Sequence, residues 1–176
     1  MNATSPSPAA ALPCFGETAA IRCERAAAEL RAGRPLVIAE GDRRLATMAL
    51  DSASPAGFAA FARAADDRHY LFLTSPRART LGIDSAHGIR IALAGQDFDT
   101  LAALAYLRDT PSPGGLPSEG DALDAAAVEV ARLGLLLPAL VSTTLHAGDS
   151  AFDGCLHLAL DDLRCGAARP ARTTSW

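Results

Sequence analysis

Residues 124–141, DAAAVEVARLGLLLPALV, change their hydrophobic period part-way. Leu123, Ala126, Ala127, Val130 and Leu133 recur at helical spacing, so Asp121 to Gly134 is predicted as an amphipathic helix. Pro138 then begins PALVSTTL, a short apolar run rich in β-formers, read as a strand. A helix that passes through a brief connection into a buried strand is the repeating unit of an α/β layer structure. The question for the rest of the chain is whether it repeats that alternation.

It does so upstream. Glu17 to Ala32 reads as a helix with Ala20, Cys23, Ala27 and Leu30 on one face and Gly33 placed to end it. RPLVIAE (34–40) is a buried strand. Leu45 to Leu50 fits either a strand or a helix. Ser54-Pro55 then opens a helix to about Ala65, because serine caps and proline is preorganised in the first turn. HYLFLTS (69–75) and GIRIALA (88–94) are further strands, and Asp97 is the candidate cap of the helix in DFDTLAALAYLRD.

Thr110 to Gly120, TPSPGGLPSEG, is the one long Pro/Gly loop, read as a mobile lid or a surface connection. After the late helix and strand, CLHLAL (155–160) is a last strand and Asp161-Asp162 starts a short helix. Without repeats or a linker, the expectation is one α/β (α+β) domain over 17–166. It should be a three-layer sandwich with a central mixed sheet and helices on both faces, between flexible tails 1–16 and 167–176.

Composition narrows the function classes. The chain has 176 residues, 49% hydrophobic and only 5% aromatic, which describes a soluble globular protein with an Ala, Leu, Val and Ile core. A net charge of −4 and the lack of a basic stripe with interleaved aromatics argue against nucleic acid. No apolar run approaches membrane-helix length, and the N-terminus lacks a basic leader region. Cys14, Cys23, Cys155 and Cys165 form no Cys-x-x-Cys, which favours thiols in a reducing cytoplasm over a zinc site.

Three groups of residues could carry chemistry. Glu40, Asp42, Arg43 and Arg44 follow the first strand, as a metal or sugar-phosphate site or as a surface turn whose charges pair with each other. Of His69, His87, His146 and His157, none has a partner at metal-ligand spacing. Hydrogen-bonded structural histidines are the expectation, and His146, at a strand end beside a glycine loop, is the best exception. AGDSAFDG (147–154) is superficially similar to the Gly-Asp-Ser nucleophile block of a hydrolase family. That chemistry needs a serine near the chain start and a late Asp-x-x-His, and no histidine follows His157.

Four ordered blocks carry a resemblance: AAAELRAGRPLVI (26–38), LATMALDSASPAGFAAFAR (45–63), YLFLTSPRARTLGI (70–83) and the quoted 124–141. In that order and spacing the chain resembles the 3,4-dihydroxy-2-butanone 4-phosphate synthase domain of riboflavin biosynthesis, often fused ahead of GTP cyclohydrolase II. The resemblance implies a reaction: ribulose 5-phosphate goes to the butanone phosphate plus formate. In that family magnesium is held by a Glu of an Arg-Glu-x-Glu-Gly-Asp loop and a His of a Gly-His-Thr-Glu motif.

At the matching stations this sequence departs. Anchored on MALDSASP, Arg43, Arg44 and Leu45 stand where Glu-Gly-Asp belongs. Anchored on VEVARLG, Leu123, Asp124 and Ala125 stand for His-Thr-Glu. The family's Thr-rich substrate segment is replaced by a shorter apolar one.

The resemblance therefore implies a degenerate domain, needing no cofactor, that serves as a structural, dimerisation or docking module associated with GTP cyclohydrolase II. The family implies a homodimer. The alternative is an active magnesium-dependent synthase with relocated ligands drawn from Glu40, Asp42 and His146. A third reading has Arg43 and Arg44 as anion contacts for a phosphorylated or flavin-like ligand.

Overall fold

The alternation read from the sequence is the architecture of the chain. The computed structural model describes residues 18–107 and 116–167. Within them lie α1 (Thr18–Arg31), β1 (Leu36–Glu40), β2 (Arg43–Ala49), α2 (Pro55–Ala64), β3 (Tyr70–Leu73), α3 (Ser75–Thr80) and β4 (Ile89–Ala92). They are followed by α4 (Phe98–Tyr106), β5 (Ser118–Glu119), α5 (Ala122–Leu133), β6 (Ala139–Leu145), β7 (Leu156–Ala159) and α6 (Leu160–Ala167). Cys14, both predicted tails apart from Ala167, and most of the long loop lie outside the described residues.

The seven strands form one mixed sheet in the order β5-β4-β3-β6-β2-β1-β7. Every pairing is antiparallel except β1 with β7. Because side chains alternate along a strand, the four central strands β3, β6, β2 and β1 feed two cores. Leu36, Ile38, Leu45, Phe72, Leu140 and Leu158 face α1, α5 and α6. Val37, Met48, Leu71, Ile91 and Val141 face the other way, onto Phe58 and Phe61 of α2 and Leu101 and Leu104 of α4. This is the predicted three-layer sandwich. Each large side chain so buried contributes about 1.5–3 kcal/mol relative to exposure.

Local signals set the boundaries. The Ser54 hydroxyl accepts from the Gly57 amide at 3.0 Å, and Asp97 accepts from the Thr100 amide at 2.7 Å, as their cap positions predict. The ambiguous segment is a strand, β2, because it lies between β1 and β6 with both faces covered. Gly41-Asp42 is a two-residue turn joining β1 to β2, with Glu40 opposite Arg43 and Gly41 at φ +58°.

Two short elements differ from the sequence reading. Ser75-Pro76 opens α3 instead of ending a strand, and the end of the long loop adds the two-residue β5 to the sheet edge. Both are too short for a hydrophobic period to announce them.

The end of α5 breaks a local rule. The Leu136 amide donates to the Ala131 carbonyl at 3.0 Å and the Leu135 amide to the Arg132 carbonyl at 2.9 Å, the bond pattern of a Schellman stop. The residue in the left-handed position, normally glycine, is Leu135 at φ +57°. That conformation costs a side-chain-bearing residue about 1–2 kcal/mol. Gly134, one residue earlier, has an ordinary helical φ of −77°.

Candidate functional site

The polar groups of this sheet gather at one end, where the β1–β2 turn, the ends of β4 and β6 and the start of α5 meet. Asp121 caps α5, its carboxylate accepting from the amides of Leu123 (2.9 Å) and Asp124 (3.3 Å). The Asp124 carboxylate reaches back to accept from the Asp121 amide at 2.9 Å, completing a capping box built from two aspartates. Asp124 is fully buried. It accepts from the Tyr70 hydroxyl at 2.8 Å and from Nε of Arg90 at 2.7 Å.

Arg90 links the two acids. Its second nitrogen lies 2.5 Å from Asp124 and 2.9 Å from Asp121, while its guanidinium sits 4.9 Å from the centre of the Tyr70 ring. Arg43 closes the set from the β1–β2 turn, 2.5 Å from Asp121 and 3.4 Å from Glu40. All sixteen basic residues of the chain are arginines, and the planar fork suits such shared carboxylate contacts.

Burial pushes the Asp124 carboxyl up, against the pull of the Asp121 amide, Arg90 and Tyr70. Burial also raises Asp121, but its hydrogen bond and charge contact with Arg90, with the amides of Asp124 and Leu123, outweigh it and hold the group below the usual carboxylate range. The Tyr70 hydroxyl is pushed well up by burial and then by the Asp124 charge.

Two adjoining cavities open on this network, of about 270 and 310 Å³, both lined by Arg90, Thr144 and His146. Asp42 and His146 share the smaller one. Glu40 is not in it: its carboxylate pairs with Arg164 of α6 at 2.9 Å. The larger one is lined by His69 and Thr143, which are buried and whose side-chain polar atoms have no hydrogen-bond partner. His69 packs edge-on to Phe58 with ring centres 5.5 Å apart. It is thus a buried histidine without the hydrogen bonds the sequence reading expected.

The remaining candidates take separate places. Arg43 and Arg44 are neighbours in a strand, so they project to opposite faces. Arg44 donates to the His146 carbonyl at 3.0 Å and lies 3.9 Å from Asp153. The His146 amide donates to Asp149, which pairs with Arg68. His157 is exposed on β7, and His87 lines a different groove.

Among the described residues no three His, Cys, Asp or Glu side chains come together in a way that could hold a metal ion. Magnesium needs several oxygen donors converging on one point. Here the two α5 carboxylates are bound to guanidinium groups, so the donor set does not fit that ion.

Sequence reasoning did not single out Arg90, Asp121 or the His69–Thr143 pair. Arg90 carried a usable signal: a lone charge inside the apolar strand GIRIALA requires a buried partner.

Known proteins give this geometry a family setting. No family model matches the chain. Among solved structures, 3,4-dihydroxy-2-butanone 4-phosphate synthase of Candida albicans aligns over 83% of this chain and 97% of its own, with a TM-score of 0.63 and 18% identity. The chain has the synthase fold. A two-domain synthase from A. baumannii aligns over 81% of this chain and 56% of its own (TM-score 0.61, 15% identity). A synthase in complex with two magnesium ions aligns over 81% of this chain and 94% of its own (TM-score 0.58, 14% identity).

By sequence, this synthase-fold chain is 50% identical over 161 residues to a GTP cyclohydrolase-2 of Xylella fastidiosa strain Temecula1, and 49% identical to that of strain 9a5c. The match covers 90% of the chain but spans only 40% of the length of those relatives. No helix among the described residues is long and apolar enough to cross a membrane.

Proposed function

We propose that the chain is a synthase-like domain of riboflavin biosynthesis that carries out no synthase chemistry. In this reading it works as a homodimeric structural or docking module for a GTP cyclohydrolase 2. The observation that carries it is the engagement of Asp121 and Asp124. They flank Leu123, which stands for the metal-binding histidine of the family that the chain resembles, and both are tied to Arg90, Asp121 also to Arg43.

A metal or a phosphate at this place would have to displace a buried ion pair. Breaking such a pair by removing one partner costs about 3–5 kcal/mol, far more than an exposed pair. The curated relatives support the association: proteins about half identical over this stretch are named GTP cyclohydrolase-2, and it makes up 40% of their length.

The alternative of an active synthase with relocated ligands needs Glu40, Asp42 and His146 around one ion. Glu40 is instead paired with Arg164 and Arg43, so only Asp42 and His146 of that set share a cavity.

The test is a formate-release assay on purified protein with ribulose 5-phosphate and magnesium. The expected outcome is release no faster than in a protein-free control. Turnover at an ordinary enzyme rate overturns the reading.

A further inference from the structure

Ion pairs cross this end of the sheet as an alternating series. Asp161 and Glu40 share Arg164, Glu40 and Asp121 share Arg43, and Asp121 and Asp124 share Arg90. The series ties α6 and β1 to β2, and β2 to α5 and β4.

Its two inner arginines have different standing. Arg90 faces the fully buried Asp124, so the core depends on it. Arg43 is 53% exposed, and its nitrogen 2.5 Å from Asp121 is where the series passes from the β1–β2 hairpin to α5. An exposed pair adds little to stability, so energy alone does not account for an arginine at this position.

The acids around Arg43 do. Asp42 and Asp121 line one cavity of about 270 Å³ with it, and Glu40 lies 3.4 Å from its guanidinium. Of the other nearby cations, Arg90 is divided between Asp121 and Asp124, and Arg164 between Glu40 and Asp161. Without Arg43 the carboxylates here would outnumber the guanidinium groups. Carboxylates gathered in that way repel one another or draw a cation from solution.

We propose that Arg43 is the chain's own substitute for a divalent cation. Its guanidinium clasps the β1–β2 hairpin to the start of α5, from a position in the station of the acidic loop that holds magnesium in the family the chain resembles. The inference rests on the reading above that no metal acts here, and adds that one side chain takes the place of the ion.

Thermal unfolding of the full chain, with and without magnesium or manganese chloride at about 10 mM, above the range of weak carboxylate sites, tests it. The wild-type midpoint should not move. Arg43→Glu removes the cation and adds a carboxylate beside Asp42 and Asp121. Its midpoint should rise by about 2–4 °C with either ion, the effect of an ion present at several times its dissociation constant. Arg44→Glu changes the net charge equally, but at a position facing the other side of the strand, and should gain nothing.

An Arg43→Glu chain whose folding responds to neither ion overturns the proposal, and so does an equal response from Arg44→Glu. A wild-type midpoint raised by the ions also overturns it, and leaves the absence of synthase chemistry standing if no formate is released. Formate release by a wild type whose midpoint the ions do not move overturns that reading and leaves the clasp standing.

Discussion

Tyr70 and His69 are adjacent in sequence and both buried, yet they lie in opposite polar environments. Tyr70 faces α5, where Asp124, Arg90 and Asp121 satisfy one another through short hydrogen bonds. The His69 imidazole faces Phe58 of α2 and has no hydrogen-bond partner, like the Thr143 hydroxyl on β6. The same contrast runs along β6, where the Ser142 hydroxyl shares a 2.8 Å bond with that of Thr47 while the hydroxyl of its neighbour Thr143 has no partner.

The difference lies in what covers each face. An α-helix N-terminus brings amides and capping carboxylates to the sheet. The opposite face receives phenylalanines, which offer neither donor nor acceptor. One patch is a polar lock, and the other leaves buried polar atoms unused beside a cavity.

The comparison can be broken most severely at Arg90. Replacing it by leucine strands the Asp124 carboxylate in the core, and chemical denaturation should record a loss of about 3–5 kcal/mol. The double variant Arg90→Leu/Asp124→Leu should recover most of that loss, because it removes the buried charge together with its partner. If the double variant is no better than the single one, the network is not what stabilises this end of the sheet.

Tyr70→Phe takes one donor from the same carboxylate and should cost about 1–3 kcal/mol. Thr143→Val, at the unpartnered hydroxyl, should instead be neutral or stabilising by up to about 1 kcal/mol, since no bond is lost. The contrast requires that only the Tyr70 deletion destabilise; a loss at Thr143 of comparable size would break it.

His69 sharpens it through pH. Burial holds its pKa below the ordinary histidine value, against a weaker upward pull from Asp67. The unfolded chain therefore binds a proton near pH 6.5 that the folded chain refuses. The stability from keeping His69 neutral is complete above about pH 6.5 and is lost as pH falls through that value toward the folded pKa. His69→Phe should flatten this part of the stability profile, measured by urea unfolding between about pH 5 and pH 7. An unchanged slope would mean that the imidazole is hydrated in solution.

The smallest effect belongs to Glu40. Its pairs with Arg43 and Arg164 are largely exposed, so Glu40→Ala should change stability by no more than about 1 kcal/mol.

The residues that made the fold legible are those whose signal is local. Ser54-Pro55, Asp97 and the hydrophobic face of residues 123–133 announced their helices through caps and period. Apolar runs such as YLFL announced strands. The segment 45–50 stayed open between helix and strand because an apolar run buried on both faces has no period to distinguish them. The site was less legible for the same reason in reverse. Asp121 and Asp124 meet locally in the capping box, but Arg90 lies 34 residues from Asp124 in sequence and reaches it only through the packing of α5 on the sheet.

By itself, the sequence determined the layered α/β architecture, the helix starts at Ser54-Pro55 and Asp97, and the likeness of ordered blocks to the synthase domain. Those features depend on neighbours along the chain or on regular spacing. Only the tertiary structure decided that Glu40 turns to Arg164, that Arg43 and Arg44 part to opposite faces, and that the aspartates of α5 are held by arginines. Each of those choices depends on which groups the sheet order brings within a few ångströms, and strand order is set by packing the whole core at once.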